Sequence, residues 1–153
     1  MSNVVVVDAS IALKWILNET DSSTALALLA DWNDREIEVY APSLLVYEVT
    51  NALYRRVRKG EIPFYDARRG LTEIIYKVIE IDFPEDPEFN IRAMELGQQF
   101  GLPAAYDAHY LTLAVSKECE LWTADTRLWN STRGKLDWLR WLHDYPTSQN
   151  KGM

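Results

Sequence analysis

Asp8, Glu48, Asp107 and Asp125 each sit beside an apolar or small-residue run of the kind that ends a strand or opens a helix. Asp8 closes Val4-Val5-Val6-Val7, Glu48 follows Leu44-Leu45-Val46-Tyr47, Asp107 stands in Tyr106-Asp107-Ala108-His109, and Asp125 follows Trp122-Thr123-Ala124. Carboxylates ordinarily face water, so acids in apolar contexts call for a partner cation, a bound metal or a perturbed pKa. Oxygen donors without nearby His/Cys pairs suit hard cations, Mg2+ or Mn2+. Such ions lower the pKa of bound water and stabilise charge on the attacking and leaving oxygens of a phosphodiester. The chemistry to expect is metal-dependent phosphodiester hydrolysis. Without metal, the four acids should repel one another and raise one another's pKa values.

The elements that would position these acids alternate between strand and helix. Val4–Val7 is a continuous β-branched run, as expected of a strand buried on both faces of a parallel sheet. Two helices are expected next, an apolar one over 11–17 and a second with Ala25, Leu26, Leu28, Leu29 and Trp32 on one face. A short strand at 38–41 leads through Pro42-Ser43 into a long helix ending near Lys59, with Gly60 as its stop. Pro63 is placed in the first turn of a helix reaching about Lys77, which feeds a strand near 78–83. Asp86 caps the following helix and Gly101 ends it. Pro103 is expected to open a helix through about Ser116, followed by a strand at 121–123, a helical turn from Asp125 to about Asn130, and a last strand at 139–143. Strands separated by helices indicate an α/β fold, a three-layer α/β/α sandwich with a mainly parallel central sheet. Ligands in such sheets bind outside the carboxyl ends of the strands, where these acids would stand.

At 153 residues the expectation is a single nuclease-like domain over 1–147, with a polar, disordered tail at 148–153. No run approaches the roughly 18 apolar residues of a membrane span, and no signal peptide is evident. One cysteine, Cys119, excludes an internal disulfide and makes the reducing cytoplasm the default compartment. Sixteen basic residues against 23 acidic ones, a net charge of −7, argue against indiscriminate nucleic-acid binding. A nuclease remains compatible, because clustered metal-binding acids contribute to that total. The densest basic run, Arg55, Arg56, Arg58 and Lys59, suits phosphate contacts and equally suits the end of a long helix.

Four segments in order resemble the successive motifs of PIN-domain ribonucleases, above all the VapC toxins of VapBC toxin–antitoxin pairs. They are Val5-Val6-Val7-Asp8-Ala9-Ser10, Pro42-Ser43-Leu44-Leu45-Val46-Tyr47-Glu48-Val49-Thr50-Asn51-Ala52-Leu53, Tyr106-Asp107-Ala108-His109-Tyr110-Leu111-Thr112-Leu113-Ala114, and Thr123-Ala124-Asp125-Thr126-Arg127-Leu128. The resemblance implies Mg2+- or Mn2+-dependent endonucleolytic cleavage of RNA, with Asp8, Glu48, Asp107 and Asp125 as metal-binding and catalytic acids. It places Ser10 and Thr123 where the family often has a small hydroxyl residue beside the metals, and Asn51 one turn after the helix acid. It also implies a VapB-type antitoxin and commonly a homodimer.

Blander roles compete at each position. Asp107 in a first turn and Asp125 as a cap would both be favoured by helix ends alone. The hydroxyls of Ser10 and Thr123 are as ready to bond backbone groups as to approach a metal site. His109, two residues from Asp107, faces a different side of the helix and reads as structural, as does His143. Trp122, Trp138 and Trp141 are expected to fill the core, with Trp15 and Trp32 as candidates for a partner groove. A haloacid-dehalogenase-like phosphotransferase would need a second Asp two residues after Asp8, where Ser10 stands. A free-standing RNA-processing nuclease and a catalytically silent binding module complete the alternatives.

Overall fold

β1 (Val4–Val7) is the middle strand of a five-stranded sheet, and Val5, Val6 and Val7 are buried. A strand covered on both faces has no solvent side, which is why its sequence shows no alternation. In this computed structural model, which describes residues 3–146, the strand order is β3-β2-β1-β4-β5 and every pairing is parallel. The remaining strands are β2 (Glu38–Pro42), β3 (Ile79–Asp82), β4 (Glu120–Thr123) and β5 (Leu139–Trp141). The architecture is the expected α/β/α sandwich.

Helices α1 (Ala9–Ile16), α2 (Ser22–Asp34) and α3 (Leu44–Arg58) pack together on one side as the chain steps from β1 to β2 to β3. The chain then reverses direction across the sheet. Right-handed crossover puts α6 (Pro87–Gln99) and α7 (Tyr106–Ser116) on the opposite face on the way to β4. β1 and β4 are therefore adjacent strands whose connections leave in opposite directions, a topological switch point where the carboxyl ends leave a crevice. The expected strand at 139–143 ends at Trp141, and a 3-10 turn occupies Leu142–Asp144. The tail expected at 148–153 lies outside the described residues.

Two helix boundaries differ from the sequence reading. Pro63 is the residue before α4 (Phe64–Arg69), not a member of its first turn, and its carbonyl accepts the amides of Asp66 and Ala67. α7 starts at Tyr106 and not at Pro103; the Nδ1–H of His109 donates to the Ala105 carbonyl at 2.7 Å, engaging the residue at which the helix begins. The helix expected up to Lys77 is also not uniform. α4 gives way to a π-helical turn at Gly70–Ile75 before α5 (Tyr76–Val78). That wider turn brings Gly70 against α1, where a β-carbon would lie 2.4 Å from Ile16 Cγ2.

The tryptophans divide between the centre of the core and its margin, with Trp122 and Trp138 packed against the core as expected. Trp15 and Trp32 are core residues at 6% and 2% exposure, packed edge to face at 6.3 Å, and Trp15 Nε1 donates to the Ala25 carbonyl at 2.8 Å. Trp122, Trp138 and Trp141 are the half-buried ones. Helix periodicity could not separate a tryptophan facing its own sheet from one facing a partner, because both require the same apolar face.

Gly70→Ala should lower thermal stability by about 1–3 kcal/mol through overpacking against Ile16. Calorimetric melting of Gly70→Ala, Ile16→Ala and the double variant checks this. The double variant is expected to be less destabilised than the sum of the singles, because Ile16→Ala vacates the space the new methyl needs.

Candidate active site

Asp8 leaves β1 and serves as N-cap of α1, its Oδ1 accepting the Ile11 amide at 3.3 Å. Ser10 Oγ donates to the same Oδ1, and Thr123 Oγ1 donates to Oδ2 from the end of β4. Each hydroxyl in turn accepts a backbone amide, Ser10 from Ala124 at 2.8 Å and Thr123 from Asp125 at 2.9 Å. A hydroxyl has one proton to give, so both donors are committed to Asp8. Ser10 and Thr123 therefore orient Asp8 and tie the ends of β1 and β4 together.

Asp8 is only 4% exposed, and burial pushes its carboxyl up to about 7. Hydrogen bonds from Ser10, Thr123 and Ile11 oppose that shift, while the Asp125 charge adds to it. Asp125 sits past β4 as N-cap of α8 (Thr126–Thr132), with Oδ1 accepting the amides of Arg127 at 2.8 Å and Leu128 at 3.2 Å. Capping occupies one of its oxygens.

Glu48 and Asp107 come from opposite faces of the sheet. Glu48 lies early in α3, and its Oε1 accepts the Tyr110 hydroxyl of α7 at 2.5 Å. Tyr110 is 1% exposed, so a rigid, buried donor fixes the glutamate and bridges the two helix layers. Burial raises the Glu48 pKa and the Asp125 charge adds to it, whereas Tyr110 and His109 oppose. The Tyr110 hydroxyl is itself pushed far upward, by burial first and by the Glu48 charge next. Asp107, in the first turn of α7, receives no hydrogen bond among the described residues. Burial lifts its carboxyl to about 6, with the negative charges of Asp125 and Glu48 contributing and Arg127 opposing.

The electrostatics thus place all four acids in one neighbourhood, with Asp125 acting on each of the other three. As the side chains stand, no group of three His, Cys, Asp or Glu among the described residues is arranged to hold a metal ion. The donor chemistry nonetheless suits a hard cation. The donors are carboxylate oxygens, the Asp125 charge raises the pKa of each of the other three acids, and Asp107 receives no hydrogen bond among the described residues.

Other candidates fall elsewhere. Asn51 is exposed and makes no hydrogen bond to any of the acids among the described residues. Arg56 is engaged by Glu19 at 3.3 Å and Glu61 at 3.0 Å, so it is not available as a free phosphate contact; Arg55, Arg58 and Lys59 have no acidic partner among the described residues. His109 is held by Ala105 and packs near Phe89, and His143 lies 3.5 Å from Asp21 and against Trp141, which makes both structural. A cleft of about 600 Å3 opens at the amino end of the sheet between Trp32, Trp122 and Trp138, with none of the four acids in its wall. The residue missed by sequence reasoning is Tyr110. Its position three residues after Asp107, on the same helix face, was the available signal.

Raised carboxyl pKa values mean that the folded chain holds these protons more tightly than the unfolded chain. Ionisation then costs the folded state, so the contribution of Asp107 and Asp8 to stability in chelator is expected to be fully present below about pH 4 and to be lost as pH rises through about 6 and about 7. Asp107→Asn should remove part of that slope and stabilise the metal-free protein at neutral pH by about 1–2 kcal/mol, allowing for solvent screening at this half-buried site. Urea melts of both proteins across that pH range measure it; a variant less stable than the parent at pH 8 would mean that Asp107 is structural.

Comparison with known proteins agrees with the geometry. The PIN domain family model matches residues 5–134. A Pyrobaculum aerophilum protein named Exonuclease VapC9 is 33% identical over 122 residues, spanning 76% of this chain and 86% of the relative. Ribonuclease VapC9 of Mycobacterium tuberculosis is 30% identical over 125 residues, 82% of this chain and 88% of the relative. Among solved structures, a Pyrobaculum aerophilum protein superposes with a TM-score of 0.63 at 24% identity, over 85% of this chain and 80% of the other. VapBC2 from Rickettsia felis, crystallised with a DNA fragment from its promoter, gives 0.60 at 16% identity over 90% and 98%. The parallel sheet, the acids at its switch point and the family match over most of the chain lead to one assignment: the chain belongs to the PIN domain family.

Proposed function

We propose that this chain is a divalent-metal-dependent endoribonuclease and the toxin of a VapBC-type toxin–antitoxin pair. The observation that carries the reading is the electrostatic coupling of Asp125 to Asp8, Glu48 and Asp107, with the buried hydroxyls of Thr123 and Tyr110 orienting two of these acids. A site made only for stability has no reason to gather four carboxylates whose charges oppose one another. The VapC names of its relatives support RNA as substrate, and the VapBC complex among its structural neighbours supports a VapB-type antitoxin. A homodimer belongs to the same proposal.

Mg2+ or Mn2+, when bound, supplies the positive charge that a phosphodiester needs while its phosphorus is attacked. The four acids would hold it. Ser10 and Thr123 keep the Asp8 carboxylate from turning, and Tyr110 does the same for Glu48. With two acids locked and Asp107 free of hydrogen bonds, the site has both a rigid frame and an adjustable arm. Cleavage adds water across a P–O bond. The attacking water loses a proton and the departing ribose oxygen gains one.

The relative named as an exonuclease favours a second reading, attack from RNA ends. Purified protein should cut both a linear and a covalently circular RNA in Mn2+ or Mg2+, and Asp107→Asn should cut neither to any measurable extent. Cutting of the linear RNA alone would assign the exonuclease activity instead. Saturating Mn2+ should also raise the melting temperature of the parent protein, by linkage worth about 2.7 kcal/mol at a hundred times Kd, and should not do so in Asp107→Asn. Identical melting curves with and without Mn2+ would rule out the metal site.

A further inference from the structure

Four carboxylates at one edge repel the polyanion they are proposed to cut, so other groups must hold the chain in place. Three exposed side chains border the acids and take no part in fixing them. Tyr47 is 72% exposed and Tyr106 63% exposed. Each directly precedes an acid and lies in the first turn of its helix, Tyr47 before Glu48 on α3 and Tyr106 before Asp107 on α7. Neither ring has a hydrogen-bond, ring or cation partner among the described residues. Successive helical side chains diverge by about 100°, so each ring flanks its acid without covering it.

The two rings belong to one edge, because Tyr110, three residues after Asp107 on α7, donates its hydroxyl to Glu48 of α3 at 2.5 Å and the Glu48 charge acts on Asp107. Arg127 is the third group. It follows the Asp125 cap, is exposed, and has no carboxylate within ion-pairing distance among the described residues, yet its charge reaches Asp107. Further along α3, Tyr54 and Arg58 fall seven and eleven residues after Tyr47 and are likewise exposed, continuing aromatic and cationic groups down one helix face.

Resting on the nuclease reading, we propose that Tyr47, Tyr106 and Arg127 form a receptor for single-stranded RNA, the rings stacking on bases either side of the phosphodiester that is cut and the guanidinium holding the backbone. An exposed phenol ring accepts the flat face of any base, and only an unpaired strand offers those faces. A guanidinium matches phosphate oxygens with paired donors.

The test is fluorescence anisotropy of a short 5′-labelled single-stranded RNA and of its duplex, with Mg2+ and the Asp107→Asn protein, so that nothing is cut. Tyr47→Ala and Tyr106→Ala should each weaken single-strand binding by about tenfold and leave duplex binding unchanged, while the Phe replacements retain affinity. Arg127→Ala should weaken binding and flatten its salt dependence by roughly one phosphate contact. In the cutting parent background, the same tyrosine changes should raise KM with little effect on kcat, at unaltered melting temperature. Affinity within about twofold of the parent in both Ala variants overturns the receptor, as does failure of the parent to bind single strands. Ala variants that change the oligomeric state and not RNA affinity would show the rings to be a protein interface, which also overturns it. Normal binding without cutting by the parent would count against the nuclease reading alone.

Discussion

The Asp8 carboxylate, buried between the ends of β1 and β4, is the interaction on which the site depends. Removing an acid from water is costly, and here two hydroxyls and one backbone amide return only part of the lost solvation. The remainder shows as a proton affinity raised close to neutrality. The same bonds join two strands whose neighbouring helices leave on opposite sides of the sheet. One buried group thus aligns the floor of the crevice and leaves it short of positive charge.

Topology supplies the rest. Because β1 and β4 lie side by side while their connections diverge, α3 and α7 can both bring an acid from near the start of a helix to the same edge. Tyr110 spans the two layers and holds Glu48, so the distance between acids is governed by helix packing and not by loop conformation. Placing the acids on strand ends and helix starts gives more precise positioning than loops allow. The interior behind them is tightly filled. Trp15 and Trp32 pack edge to face beneath α1 and α2, and Gly70 lets the π-helical turn approach Ile16.

A cluster of mutually repelling acids is a stability cost that a protein retains for function. Under the proposed nuclease reading the cost would have a direct use, since a site that lacks positive charge gains most from a cation. The overall charge of −7 has the same origin in part, and it leaves substrate attraction to local groups. Arg56 is not among those groups, because Glu19 and Glu61 already occupy it. Exposed cations without an acidic partner among the described residues, Arg55 and Arg58 on α3 and Arg127 beside Asp125, remain for that role instead.

The sequence by itself determined which residues could do the chemistry and in which layer order they would appear. The β-branched run before Asp8, the helix stop at Gly60 and the Asp86 cap are local signals, carried by a few neighbouring residues, and each is found where those signals put it. The four acids were legible for the same reason, since each is marked by its own apolar context and by an ordered family pattern. What only the tertiary structure decided are contacts between distant residues: Thr123 with Asp8 across 115 positions, and Tyr110 with Glu48 across 62. Local periodicity likewise could not say that Trp15 and Trp32 face the core, that Arg56 is already paired, or that Gly70 sits in a π turn against Ile16. Those outcomes are settled by which surfaces meet when helices pack on the sheet, and that choice is made by the fold as a whole.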